Sequence, residues 1–83
     1  MRIKIVPTIG AEISFDLDVG PKTTIREVKQ KIAKKKWIPA DELILIYRDK
    51  ELLFEDHTLI EEGISDGDTL FVITRVSGGL QKY

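Results

Sequence analysis

Residues 24–37 read Thr-Ile-Arg-Glu-Val-Lys-Gln-Lys-Ile-Ala-Lys-Lys-Lys-Trp, and this stretch decides the fold. Ile25, Val28 and Ile32 recur at i, i+3 and i+7, while Arg26, Lys29, Lys31 and Lys34 to Lys36 occupy the other faces. That spacing predicts an amphipathic helix with one apolar stripe. Thr24 is the expected N-cap, because Glu27 three residues on completes a capping box in which each side chain satisfies the other's backbone N–H. No glycine follows to take the left-handed cap position, so Pro39 sets the limit and the helix is expected to stop near Lys36 or Trp37.

Before the helix the period is two. Met1, Ile3 and Ile5 alternate with Arg2, Lys4 and Val6, and Ile13, Phe15 and Leu17 alternate with Ser14, Asp16 and Asp18. Pro7 ends the first run and Thr8 to Ala11 form a short link, so the pair predicts a β-hairpin; Gly20-Pro21 then closes it. After the helix, Leu43 to Tyr47 is an apolar run too short for a second helix and followed by the turn-forming Arg48-Asp49, which predicts a strand. Lys50 to Leu53 reads as a short edge strand. Residues 54–63 lack a clean period, with Leu59 and Ile64 as expected anchors, and Asp66-Gly67-Asp68 turns into a last strand, Thr69 to Val76, rich in β-branched residues. The expected fold class is α+β: one domain over residues 1–76, with a flexible tail over 77–83. One helix covers only one face of a sheet, so the other face meets water.

Alternation assigns the faces. If Leu45, Tyr47, Leu70 and Val72 point to the helix, Ile44, Ile46, Phe71 and Ile73 point away from it. Pairing the two strands would set these four side by side as an exposed apolar patch, which a small domain has reason to avoid unless something binds there. A loop or the tail folding over the patch, or a register that swaps the faces, would be the structural alternatives.

Composition narrows the function. The chain has 83 residues, 42% of them hydrophobic and 33% charged, and no cysteine, so disulfides and thiolate metal sites are excluded. No apolar stretch approaches the roughly 20 residues of a membrane span, and no signal-peptide block opens the chain, so no membrane association and a cytoplasmic location are expected. Residues 1–40 carry nine basic and four acidic side chains, net +5, and residues 41–83 carry four basic and ten acidic, net −6. The basic cluster from Arg26 to Lys36 could attract a phosphate backbone, but it lacks interleaved aromatics and a groove-binding motif; a solvated helix face and no nucleic-acid partner are expected. Trp37 is expected to pack at the edge of the core, the alternative being a half-exposed recognition residue. No nucleophile, metal-ligand spacing or glycine-flanked serine is present, and the single histidine, His57, reads as a surface residue. An enzyme is not expected, nor a cofactor.

The order of elements, read with Met1-x-Ile3-x-Ile5, Thr24-Ile25, Val28-Lys29-x-Lys31-Ile32, Ile38-Pro39-x-Asp41, Leu45-Ile46-Tyr47, Lys50-x-Leu52, Thr58-Leu59 and Gly78-Gly79, resembles the ubiquitin family. The similarity runs over residues 1–79 with near-constant spacing, with two residues added around Gly20-Pro21 and one near Leu53-Phe54. In style the chain is similar to archaeal ubiquitin-like pro-modifiers, which also carry a short extension after Gly-Gly. The resemblance implies a β-grasp fold with a mixed sheet and a partner-binding patch at Ile46, Phe71 and Ile73, with Ile9 or Thr8 from the first turn and Ile44 beside them. Phe71 stands where ubiquitin has histidine, which implies a more apolar patch.

The resemblance also implies the chemistry of the tail. Conjugation needs a terminal carboxylate that can be adenylated by ATP, passed to a cysteine thioester and joined to a lysine amine, and Gly78-Gly79 lacks the side chains that would obstruct a narrow enzyme cleft. Leu80 to Tyr83 mask that carboxylate, so a processing peptidase would cut between Gly79 and Leu80, unless residues 80–83 are foreign to the natural chain. Arg75 matches a basic residue read by activating enzymes, whereas Ser77 and Ile44 replace two other family arginines. Lys50, Lys29, Lys31 and Lys35 match family lysines, and Lys50 is a candidate chain acceptor. The implied partners are an activating enzyme, a conjugating enzyme, a ligase, the peptidase and target proteins, acting on a monomer. A β-grasp sulfur carrier with a thiocarboxylate at Gly79, or a noncovalent binding domain, are the alternative functions.

Overall fold

The computed structural model describes residues 1–8 and 13–74. Strands β1 (Arg2–Pro7) and β2 (Phe15–Asp18) precede helix α1 (Ile25–Lys36); a one-turn 3-10 helix (Ala40–Glu42) leads into β3 (Leu43–Tyr47), β4 (Lys50–Glu51) and β5 (Thr69–Thr74). The sheet order is β2-β1-β5-β3-β4. β1 and β5 run parallel, and every other neighbouring pair is antiparallel, so the sheet is mixed, as the resemblance implies.

The helix begins where its chemistry directs. The Thr24 backbone N–H donates to Glu27 Oε1 at 2.8 Å and the Glu27 N–H donates to Thr24 Oγ1 at 3.2 Å, closing both arms of the capping box. At the other end Trp37 itself adopts the left-handed conformation, at φ 58°, and its N–H returns to the Ala33 carbonyl. The chain thus makes a left-handed cap without glycine, at a backbone cost of about 1–2 kcal/mol for a residue with a Cβ.

Ile25, Val28 and Ile32 bury their stripe against Ile3, Ile5, Leu43, Leu45, Leu70 and Val72 of the sheet. Leu59 and Ile64, at 0% and 3% exposure, close the core from the long connection as expected. Residues 58–63 are ordered by a second box, with the Thr58 N–H donating to Glu61 Oε1 at 2.7 Å and the Glu61 N–H to Thr58 Oγ1 at 3.2 Å. The connection is tied to the start of α1: the Ile25 and Arg26 N–H groups donate to the His57 and Glu55 carbonyls, and Lys29 Nζ reaches Glu55 Oε2 at 2.8 Å. That hydrogen bond holds the Glu55 carboxyl below the usual carboxylate range. Arg26 pairs with Asp56 and Glu55, so part of the basic helix face is neutralised within the fold.

Three expectations need correction. Ile13 is 79% exposed and lies outside β2, whose pairing with β1 stops at Ile5 opposite Phe15. The edge strand covers only Lys50–Glu51; Leu52 beyond it is buried in the core and donates its N–H to the Leu45 carbonyl. Trp37 is 93% exposed and does not pack on the core edge. Of the last strand, Thr69–Thr74 is seen; Arg75 and Val76 lie outside the described residues.

Candidate functional site

Period two in β3 and β5 builds the outer face of the sheet. Leu43, Leu45 and Tyr47 are buried beneath it, and so are Leu70 and Val72. The register sets Ile44 opposite Ile73 and Ile46 opposite Phe71, so the four residues read from alternation form one contiguous cluster. Phe71 and Ile73 are 43% and 38% exposed. Ile44 and Ile46 are half-buried.

One member escaped the sequence. Parallel pairing of β1 with β5 places Val6 opposite Phe71, extending the row to Val6, Phe71, Ile46 and then Glu51 of β4. Parity already turned Val6 outward; which strand it lies beside was the missing information. Thr8, exposed just past the end of β1, donates its hydroxyl to the Val72 carbonyl at 3.0 Å. Ile9, Arg75, Gly78 and Gly79, also assigned to the site, lie outside the described residues.

The patch has rigid support from below. Tyr47 donates its hydroxyl to Asp68 Oδ2 at 2.7 Å, and the same oxygen accepts the Ser65 N–H at 2.8 Å. This fixes the turn that feeds β5 against the end of β3. Lys50 lies at the patch border, paired across the turn with Tyr47, and its side chain is 71% exposed. A further set of exposed apolar side chains, Leu53, Phe54 and Ile60, sits on the aperiodic connection where no local pattern distinguishes them. Among the described residues no group of three or more acidic, histidine or cysteine side chains could hold a metal ion, and no helix is long and apolar enough to cross a membrane.

The Ubiquitin family model matches residues 6–77, the greater part of the chain. The chain belongs to the ubiquitin family. Among its relatives, the ubiquitin-like protein NEDD8 of Dictyostelium discoideum is 31% identical over 80 residues, covering 96% of this chain and 100% of its own length. Ubiquitin-like protein 1 of Schizosaccharomyces pombe is 28% identical, covering 95% of this chain and 97% of its own. The midnolin homolog of Drosophila melanogaster is 32% identical, but the chain spans only 7% of that protein. Among solved structures, the ubiquitin of Caldiarchaeum subterraneum superposes with a TM-score of 0.85 at 38% identity, covering 95% of this chain and 98% of that one. The fold is therefore the ubiquitin-like β-grasp, and Ile46, Phe71 and Ile73 lie on the outer face of its sheet.

Proposed function

We propose that this chain is a protein modifier made as a precursor. A peptidase cuts the Gly79–Leu80 bond, and the freed Gly79 carboxylate is adenylated with ATP. It then passes as a cysteine thioester through an activating and a conjugating enzyme and, with a ligase, is joined to a lysine amine of a target protein. The chain is a substrate of these enzymes and is not itself one, and it acts as a monomer in the cytoplasm. The observation that carries this reading is the apolar cluster of Ile44, Ile46, Phe71 and Ile73 on β3 and β5, the latter leading in sequence to Gly78-Gly79. A face of this kind offers receptors and conjugating enzymes a contact surface, and Arg75 supplies the basic residue for activating-enzyme recognition. The family's full-length small modifiers support the same reading.

The test is the intact mass of the protein from its native cells, followed by a search of digests for its C-terminus on lysines. A chain ending at Gly79 and found in isopeptide linkage is expected. A Gly79 terminus carrying sulfur in place of oxygen would make it a sulfur carrier, and Tyr83 retained in every molecule would leave only a noncovalent binding domain.

A further inference from the structure

An apolar cavity of about 110 Å³, partly open to solvent, lies between the C-terminal end of α1 and the sheet. Phe15, Ile32, Leu43 and Val72 line it, together with Ile38 just past the helix. Ile13, the residue that would continue β2 at this end, is 79% exposed and is not among the residues that line it. The cavity is on the helix side of the sheet, whereas Ile44, Ile46, Phe71 and Ile73 are on the other. Two cations stand beside it: Lys35 and Lys36 hold their Nζ atoms 5.3 Å and 5.0 Å from the Phe15 ring centroid. Such a lining offers water few polar partners, and its atoms forgo contacts that a close-packed interior would supply.

Thr74 also lines the cavity, and the chain continues from it for nine residues, Arg75-Val76-Ser77-Gly78-Gly79-Leu80-Gln81-Lys82-Tyr83. We propose that Leu80 fills this cavity in the precursor, so that the extension is an internal ligand of its own domain and the Gly79–Leu80 bond is withheld from a peptidase until Leu80 leaves. The inference rests on the modifier reading, in which that bond is the one cut. Five residues, 75–79, separate Thr74 from Leu80, a length that can reverse a strand, and Ser77-Gly78-Gly79 is a sequence suited to a turn. Size selects Leu80 over Tyr83: the cavity is smaller than the roughly 150 Å³ apolar site that admits benzene, so it takes a branched aliphatic group and not a phenol. With Leu80 seated, the Tyr83 carboxylate is three residues away, within reach of the Lys35 and Lys36 ammonium groups. Lys82 has the sign of those two groups, so the charge match is carried by the carboxylate alone. Burial of the leucine has to offset the ordering of residues 75–79, so the docked form dominates without being permanent. Removal of Leu80 to Tyr83 empties the cavity, and the precursor and the mature chain then differ at this end of the core.

The experiment follows the full chain, methyl-labelled at isoleucine, leucine and valine, by NMR. It also times cleavage of Gly79–Leu80 by thermolysin, which cuts before bulky apolar residues, with intact mass as the readout. Nuclear Overhauser contacts from the Leu80 methyls to those of Ile32, Ile38 and Val72 are expected, unchanged on dilution. Cleavage is expected to be about fivefold slower than in the free peptide acetyl-Arg-Val-Ser-Gly-Gly-Leu-Gln-Lys-Tyr, since a protease acts on the population in which the bond is open. Ile38→Asp, which sets a charge in the cavity wall, should bring the rate up to that of the peptide, whereas Ile60→Asp, at an exposed residue outside the lining, should leave it slow. If Ile38→Asp unfolds the chain, the contacts in the unaltered chain decide alone. Contacts from Leu80 to Ile46 or Ile73, which would lay the extension on the outer face, overturn the proposal. So do contacts from Val76 in place of Leu80, contacts that vanish on dilution and so belong to a second copy, a bond cut as fast as in the peptide, or a folded Ile38→Asp chain cut no faster than the unaltered one. Each of these outcomes is compatible with a modifier, and the Gly79 terminus in native cells decides that reading separately.

Discussion

Ile46 and Phe71 stand directly opposite each other on β3 and β5, one position along from the pair Leu45 and Val72, which faces the other way into the core. Neighbouring residues on one strand therefore answer to different constraints. Leu45→Ala, which empties a site with 0% exposure, is expected to cost about 2–5 kcal/mol. Ile46→Asp, on a half-buried outer position, is expected to cost about 1 kcal/mol while an immobilised chain carrying it loses the proteins that the unaltered chain captures from native extract. Urea denaturation beside the capture experiment checks both; unfolding of Ile46→Asp would place that residue in the core instead.

The two ends of α1 differ in how well they are served. Thr24→Ala removes the acceptor for the Glu27 N–H and is expected to destabilise by about 1 kcal/mol. A Thr24→Asp chain, which keeps an acceptor oxygen, should recover most of that loss in the same denaturation series.

Trp37 holds a left-handed backbone conformation while leaving its indole 93% exposed, so it gives up little packing for its strain. Trp37→Gly is expected to stabilise the fold by about 1 kcal/mol, because glycine takes φ near 58° without a Cβ clash. A raised thermal midpoint checks this; a lowered one would mean that the indole makes contacts worth more than the strain.

How much of this was legible follows from the range over which each signal acts. The helix could be read because its period, its box and the proline that limits it all lie within sixteen residues, 24–39. The outer patch could be read because alternation in Leu43–Tyr47 and Thr69–Thr74 survives into the structure. The alternation at Ile13 misled, since parity says nothing about where a ladder ends. Thr58-x-x-Glu61 carried the same capping signature as Thr24-x-x-Glu27 and could have ordered the connection from sequence. Val6 beside Phe71 and Glu62 beside Lys50 depend on which segments the topology makes neighbours, and no local pattern encodes that.

The hydrogen bond from Tyr47 to Asp68 makes stability sensitive to pH at both extremes. Asp68 is held below its ordinary 3.8, first by the Ser65 N–H and then by the Tyr47 hydroxyl, so the unfolded chain binds more protons across that interval. Its contribution is therefore complete above about pH 4 and is lost as pH falls through the lower, folded value. Tyr47 is raised above 10.0 by the same hydrogen bond and then by burial, so its contribution is complete below that value and is lost as pH rises through the folded one. Urea midpoints measured against pH should fall at both ends, and Tyr47→Phe should flatten the alkaline fall while leaving part of the acid one, because Ser65 still donates to Asp68. An alkaline limb unchanged by Tyr47→Phe would show that another group, not this phenol, titrates there.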